Sequence, residues 1–351
     1  MLVLALIVAL LAAAAITDRS DILPVPAQTI GGEVTRAAPA ISGISDADLA
    51  VYDAVVARVA AGESYYTAAA AEHRAAGFPL HPPLTVRPPT LAWASAILGK
   101  TGLLIAAGAL WIALLSAWWW RLAEEPGGER HILIALLLVF IGTVMGLKPH
   151  YLALHEVWSG TLMALALALH RPGGDLANWI PAGCAAALAL VIRELALPFV
   201  LLLGALALLR RDWREAGAWG LLVAVFAVIM LAHVNAVEAV TRESDGASAG
   251  WLALRGFTGW TGNIVLSSPL WPLPGIIAAP LALLPLIGWA GWKSDLGLTG
   301  FLLYLGYGVL FMIAGRADNF YWGLMVVPAY FMGLVHTPRA LAALWNSAKG
   351  R

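Results

Sequence analysis

Charge is what this sequence has least of. Only 12% of its 351 residues are Asp, Glu, Lys or Arg, about half the ~25% of an ordinary soluble domain. Hydrophobic residues make up 61% and the mean hydropathy is +0.81. Such a chain cannot cover a water-facing surface, which excludes a soluble enzyme and a disordered tail. An excess of either sign is also lacking, since 21 basic residues balance 21 acidic ones. No basic surplus remains to neutralise phosphates, so nucleic acid is not an expected partner. The single cysteine, Cys184, excludes an internal disulfide framework. There is no Walker-type loop, no GxSxG elbow and no Gly-rich dinucleotide turn, and no inward loop is long enough for a nucleotide-binding domain.

What is present is a ladder of apolar runs. A helix needs about 20 mostly apolar residues to cross the hydrocarbon core. The first run, Leu2 to Ile16, is short, and reads either as a retained helix or as a signal peptide. No Lys or Arg precedes it, which speaks for retention. Later runs cover Thr101–Trp120, Ile132–Leu147, Val157–Leu169, Trp179–Ile192, Leu195–Leu209, Ala216–Ala232, Ile276–Trp292, Leu296–Ala314 and Tyr321–Val335. With the first they give about ten spans, several short enough to be tilted or broken. Leu91–Leu98 is too short to cross and is expected to dip in or lie at the interface. Many of the 16 Trp stand near the ends of runs, as in an interfacial aromatic belt. The expected fold is all-α, one polytopic transmembrane helical bundle over 1–351. It carries a long outward loop with amphipathic surface helices (17–90) and a second outward loop (233–274).

Orientation follows from short-loop cations. Arg121, Arg130, Arg171, Arg210, Arg211, Arg214, Lys293, Arg339, Lys349 and Arg351 fall on one side, expected to be cytoplasmic with both termini. Residues 17–90, Lys148–Glu156, Arg193–Glu194, His233 to about Pro274 and Arg316–Asn319 fall on the other.

That other face holds the polar constellations. From Asp46 to Val59 the spacing predicts a helix gathering Leu49, Tyr52, Val55, Val56 and Val59 on one face. Asp46 and Asp53 fall on the opposite, watery face. Asp48 falls within the apolar arc, one turn before Tyr52. A carboxylate there is either at work or is the acid of a Ser45-x-x-Asp48 capping box. A second Ala-rich helix follows Glu63-Ser64-Tyr65-Tyr66 and stops at Gly77. Prolines 79, 82, 83, 88 and 89 then force an extended path. They present Arg87 from a stiff segment, suited to a phosphate or carboxylate, or to headgroup snorkelling.

Further along, Lys148, His150, His155 and Glu156 crowd one short loop. The five-residue His spacing suits a polar pocket rim better than a metal site. Arg193-Glu194 sits between two apolar runs with no Gly or Pro to form a loop. It reads as a functional intramembrane pair or as a self-neutralising helix-hairpin turn. Gly315-Arg316-Ala317-Asp318-Asn319-Phe320-Tyr321-Trp322 opens the last span and serves equally as belt or ligand site. In the second loop Glu238, Arg242, Trp251, Arg255, Trp260 and Asn263 are candidates to line a cleft.

Three of these segments carry a resemblance. Asp48-Leu49-Ala50-Val51-Tyr52, then Gly62-Glu63-Ser64-Tyr65-Tyr66, then Arg87-Pro88-Pro89-Thr90-Leu91 resembles the Asp-Leu-x-Val-Tyr, Gly-x-x-Tyr, Tyr-Pro-Pro-Leu succession of GT-C integral-membrane glycosyltransferases that use polyprenyl-phosphate sugars. Arg87 stands where those members carry Tyr. The resemblance implies a GT-C-like bundle and an inverting sugar transfer from a polyprenyl-phosphate donor to a glycan or lipid acceptor. It also implies that Asp48 is the general base, that His155-Glu156 occupies the second acidic position, and that Arg193-Glu194 is a charged pair of the site. Lys148, Arg87, Arg193 and Arg316 are then the candidates to hold the lipid phosphate. Tyr52, Tyr66, His155, Glu156, Glu194, Asn319 and Tyr321 are the candidate pocket residues. Neither a metal nor a separate cofactor is required on this reading. The expected location is a bacterial inner membrane, with the site facing the periplasm and membrane lipids as surroundings. The alternatives are a transporter or flippase for a lipid-linked or small polar substrate, and a non-catalytic GT-C-like scaffold.

Overall fold

The computed structural model describes residues 2–16, 46–147, 149–173 and 179–349. Among the described residues the chain is helical, with only two isolated β-bridges, His81 with Ala247 and Leu252 with Ala314. Helix α1 covers Leu2–Ile16. Two surface helices follow, α2 (Asp46–Ala60) and α3 (Tyr65–Ala75). Gly62 and Gly77 end them in the left-handed region, φ 93° and 72°, where residues with a Cβ are disfavoured. The main body contains α4 (Thr90–Glu124), α5 (Ile132–Thr143), α6 (His155–Leu169), α7 (Ile180–Ile192), α8 (Leu197–Leu209) and α9 (Trp213–Glu238). It continues with α10 (Gly256–Leu266), α11 (Gly275–Gly291) and α12 (Asp295–Ile313), and α13 (Thr337–Ala348) closes the chain.

Among the described residues three segments are long and apolar enough to cross a membrane: α4 with its approach (Pro83–Glu124), α9 and α12. Ile180–Ile192, Glu194–Leu209 and Gly275–Gly291 are shorter apolar helices. Of the expected ladder of about ten spans, three are full-length helices of this kind among the described residues. On α4, Ile97, Ile105 and Ile112 are 83%, 68% and 69% exposed. Burying an Ile side chain is worth about 1.5–3 kcal/mol, so lipid is the solvent that suits this face. Leu91–Leu98 and Thr101–Trp120 belong to one helix, broken at Gly99, whose φ of 64° and ψ of 178° lie outside the helical region.

Two expectations are corrected. Tyr321–Val335 is not an α-helical span. It runs as 3-10 helix (Ala317–Met325), one α-turn (Val327–Tyr330) and 3-10 helix again (Phe331–Val335), almost wholly buried. Nor is 233–274 simply a loop, because α9 continues to Glu238 and α10 is a buried helix inside the stretch.

Helix α6 is the hub. From His155 to Ala168 every residue is buried, and it packs against α4, α7 and the 317–325 segment. Small residues make the close approaches. A Cβ on Gly160 would lie 2.1 Å from the Leu324 carbonyl, one on Gly142 2.1 Å from that of Val327, and one on Gly288 1.7 Å from that of Gly333. Such contacts let helix backbones meet where lipid supplies no hydrophobic drive.

The polar groups sort to the two ends of the long helices. At one end Thr90 Oγ1 donates to the Val191 carbonyl, His233 meets Val86, and Arg74 binds Asp245. At the other, Arg171 binds Glu124, Trp292 Nε1 donates to Glu125, and His170, Trp219 and Arg210 converge on Glu215. Helices α4 and α9 each run from one set to the other.

Candidate functional site

The proline-bounded segment that carries Arg87 is tied down on every side. The Tyr65 hydroxyl donates to the Arg87 carbonyl at 2.6 Å, and burial pushes its pKa up, keeping the donor protonated. His233 Nε2 lies 3.1 Å from the Val86 carbonyl, and its Nδ1 lies 3.3 Å from the Tyr66 hydroxyl. A carbonyl can only accept, so Nε2 carries the proton and Nδ1 accepts from Tyr66. Tyr66 therefore positions the Arg87 segment, and it lines neither of the cavities described below.

The second outward stretch closes over this segment. Arg74 grips Asp245 with two bonds of 2.7 Å and the Val240 carbonyl with a third. Arg74 beside it, with the Arg242 backbone, holds the Asp245 carboxyl at about 2. Arg58 joins α2 to α3 through Glu63 and Glu72, at 2.6 and 2.8 Å.

The Arg87 guanidinium sits between two cavities. The larger, about 610 Å³, lies between α2 and α4 and is lined by Tyr52, Asp53, Tyr65, Leu91, Leu103, Leu104 and His155 as well as Arg87. Its Leu104 wall belongs to the lipid-exposed face of α4. The smaller, about 180 Å³, is lined by Ser248, Trp251, Arg316, Asp318, Asn319, Tyr321 and Trp322. Tyr52, His73 and Arg87 line both, so the cavities meet at Arg87.

The four candidate cations stand in different circumstances. Arg193 is 1% exposed and Glu156 2%. Arg193 Nε donates to Glu156 at 2.6 Å and Nη1 donates to Glu194. With two carboxylates on one guanidinium, Arg193 is held internally through Nε and Nη1. Arg316 is likewise engaged, with both Asp318 oxygens at 3.2 Å, Ser248 Oγ at 3.1 Å and the Ala249 carbonyl at 3.0 Å. Lys148 lies outside the described residues. Of the three described candidates, Arg87 makes the fewest bonds. Its Nη2 makes one long bond to the Tyr321 hydroxyl, 3.3 Å, and its Nε is buried without a partner.

The remaining candidates divide similarly. His155 is buried, packs on Tyr52 with ring centroids 5.5 Å apart, and makes no well-formed hydrogen bond from either nitrogen. Asn319 donates to the Tyr321 hydroxyl and accepts from the Arg316 backbone. It also orders the turn that delivers Tyr321 to Arg87. Asp48 belongs to α2, but its side chain lies outside the described residues, as does that of His150. Asp53 is exposed, as the helical arc predicts, yet it stands on the lining of the larger cavity. Trp251 lines the smaller cavity, whereas Asn263 is buried beside Arg255. Sequence reading passed over Tyr65, His73, Ser248 and Asp53 as site residues. Tyr65 alone left a signal, in the Tyr-Tyr pair that opens α3.

Among the described residues no three His, Cys, Asp or Glu side chains group as metal ligands. No family model, curated protein or solved structure matches the chain.

Proposed function

We propose that the protein is a membrane glycosyltransferase of the GT-C type, moving a sugar from a polyprenyl-phosphate donor to an acceptor hydroxyl. The observation that carries this reading is the under-used guanidinium of Arg87, held at the junction of an apolar cavity open toward lipid and a polar cavity among the loops. A lipid phosphate needs that combination: walls for an isoprenoid tail and an uncommitted, bidentate cation for its head. On this reading the tail enters between α2 and α4, past Leu103 and Leu104. The phosphate meets Arg87, and the acceptor approaches through the cavity beside Trp251 and Asp318.

In the reaction the acceptor hydroxyl gives its proton to the Asp48 carboxylate as its oxygen attacks the anomeric carbon. The bond from that carbon to the phosphate oxygen breaks, and the electron pair leaves on the phosphate, where Arg87 stabilises the growing charge. Attack opposite the leaving group inverts the anomeric centre. The Glu156–Arg193–Glu194 cluster keeps a fixed charge behind Arg87, and Tyr52 and Tyr321 frame it.

The test is transfer from a radiolabelled polyprenyl-phosphate sugar by matched amounts of monodisperse protein. Asp48→Asn should lower turnover by about 10²–10⁴-fold, as loss of a general base does, while donor binding persists. Asp46→Asn should be nearly silent. If Asp53→Asn is inactive and Asp48→Asn active, the base is the cavity-lining Asp53. Full activity in all three variants would remove the catalytic carboxylate from α2 and sink the mechanism.

A further inference from the structure

A third cavity, about 510 Å³, opens near the opposite end of the bundle, between α1, α11 and α13. Its walls are almost uniformly apolar. Leu283, Leu286, Ile287 and Ala290 recur at helical spacing along one face of α11, with Leu10 and Leu344 facing across the gap. Three polar residues line it, Lys293, Arg339 and Ser347, and no acidic residue does. The two cations stand at the mouth. Lys293 follows the end of α11, and Arg339 lies in the first turn of α13. Both are exposed, and neither is in an ion pair among the described residues. The nearest acid in sequence, Asp295, lines a different cavity with Arg210, Arg211 and Arg214.

We infer that this groove seats one acyl chain of an anionic phospholipid, with the lipid phosphate held between Lys293 and Arg339. Charge complementarity selects an anionic head, and the length of the groove selects a chain. From Leu283 to Gly291 the helix rises about 12 Å at ~1.5 Å per residue, most of the ~15 Å depth of one leaflet. A headgroup at the mouth therefore sits at the interface while its chain lies along α11. The floor is rigid, because Gly291 and Gly288 bring α11 against Ala340 and the Gly333 carbonyl with no room for a side chain. As sequence, Lys293 and Arg339 are markers of the cytoplasmic side. The groove gives the same two charges a ligand, independently of any activity at Arg87.

Native mass spectrometry of the delipidated, detergent-purified chain tests this. The probes are phosphatidylglycerol, phosphatidylcholine of the same chains, and glycerol phosphate. Phosphatidylglycerol should be retained at one equivalent at least 10-fold more strongly than phosphatidylcholine. Glycerol phosphate should not be retained. Lys293→Gln with Arg339→Gln should erase the headgroup preference and leave weak, unselective lipid binding. Ala343→Trp, which fills the groove from α13 and leaves both cations in place, should abolish the retained equivalent. The inference is overturned by equal retention of the two lipids, by an unchanged preference in the double variant, by retention in Ala343→Trp, or by binding of glycerol phosphate alone. A dimer in place of the lipid-bound monomer would assign the groove to a second copy of the chain and equally overturn it.

Discussion

Arg87 lines both cavities and Arg193 lines neither, and their surroundings differ as sharply. Arg193 is held by Glu156 and Glu194, so removing it leaves the buried Glu156 carboxylate without its cation, while Glu194, 24% exposed, still reaches solvent. Breaking a buried pair costs about 3–5 kcal/mol. Arg193→Ala should therefore fail to give monodisperse protein or lose a comparable amount of stability. Glu156→Gln with Arg193→Gln should recover part of that loss, and thermal melting in detergent reads both. A double variant no better than the single would show that the pair is not coupled. Arg87→Lys should instead leave melting nearly unchanged, because its guanidinium spends one long bond on Tyr321. Donor affinity should fall, since an ammonium cannot make the bidentate contact. Sequence reading reached both residues, Arg87 from its flanking prolines and Arg193 from its place between apolar runs. It had no means of ranking them. The partner that commits Arg193 is Glu156, 37 positions away, and only the packing of α6 against α7 brings the two together.

Helix boundaries were most legible where one residue decides them, as at Gly62 and Gly77. The buried face of α2 through Leu49 and Val55 was also visible. The last apolar run was misread because composition cannot tell an α-helical span from a buried 3-10 path. Pro328 interrupts the hydrogen-bond ladder there, and Gly142, Gly160 and Gly288 on neighbouring helices admit the irregular backbone at contact distance. Gly160→Ala would push a methyl into the Leu324 carbonyl. Overpacking of this kind costs about 1–3 kcal/mol, so a lowered melting temperature is expected, whereas Gly183→Ala, with open space around it, should be neutral. Equal melting of the two would remove the close-packing account. The Arg74–Asp245 clasp makes a pH prediction. The carboxyl is depressed from 3.8 to about 2, so its contribution is complete above about pH 4 and is lost as pH falls toward 2. Amide exchange across 240–248, corrected for intrinsic rates, should be constant from pH 7 to 5 and accelerate below 4. In Asp245→Asn it should be fast throughout. A uniform profile in the unsubstituted chain would show that the clasp does not hold the loop.

At the scale of the whole molecule, α4 and α9 each join a set of polar contacts at one end to a set at the other. On the proposed orientation, cysteines placed at Asp53 and Arg211 in a Cys184→Ala background should label from opposite sides of the membrane. Cys184 itself is exposed and has to be removed first. Labelling from one side would contradict the orientation. On the proposed function, the cavities meeting at Arg87 support transfer at one face, and the intact lipid-linked sugar is never carried across. One measurement addresses it directly. The protein is reconstituted into vesicles holding a polyprenyl-phosphate sugar labelled on the sugar, with acceptors supplied only on the Asp53 side, and the fate of the label is followed. The account predicts that label leaves the lipid for the acceptor with inverted anomeric configuration, and that Arg87→Ala reduces this at least 10²-fold, a loss typical of removing an oxyanion-stabilising donor. Label that stays on its lipid and changes leaflet, at a rate unaffected by acceptor, would contradict it and make the protein a transporter.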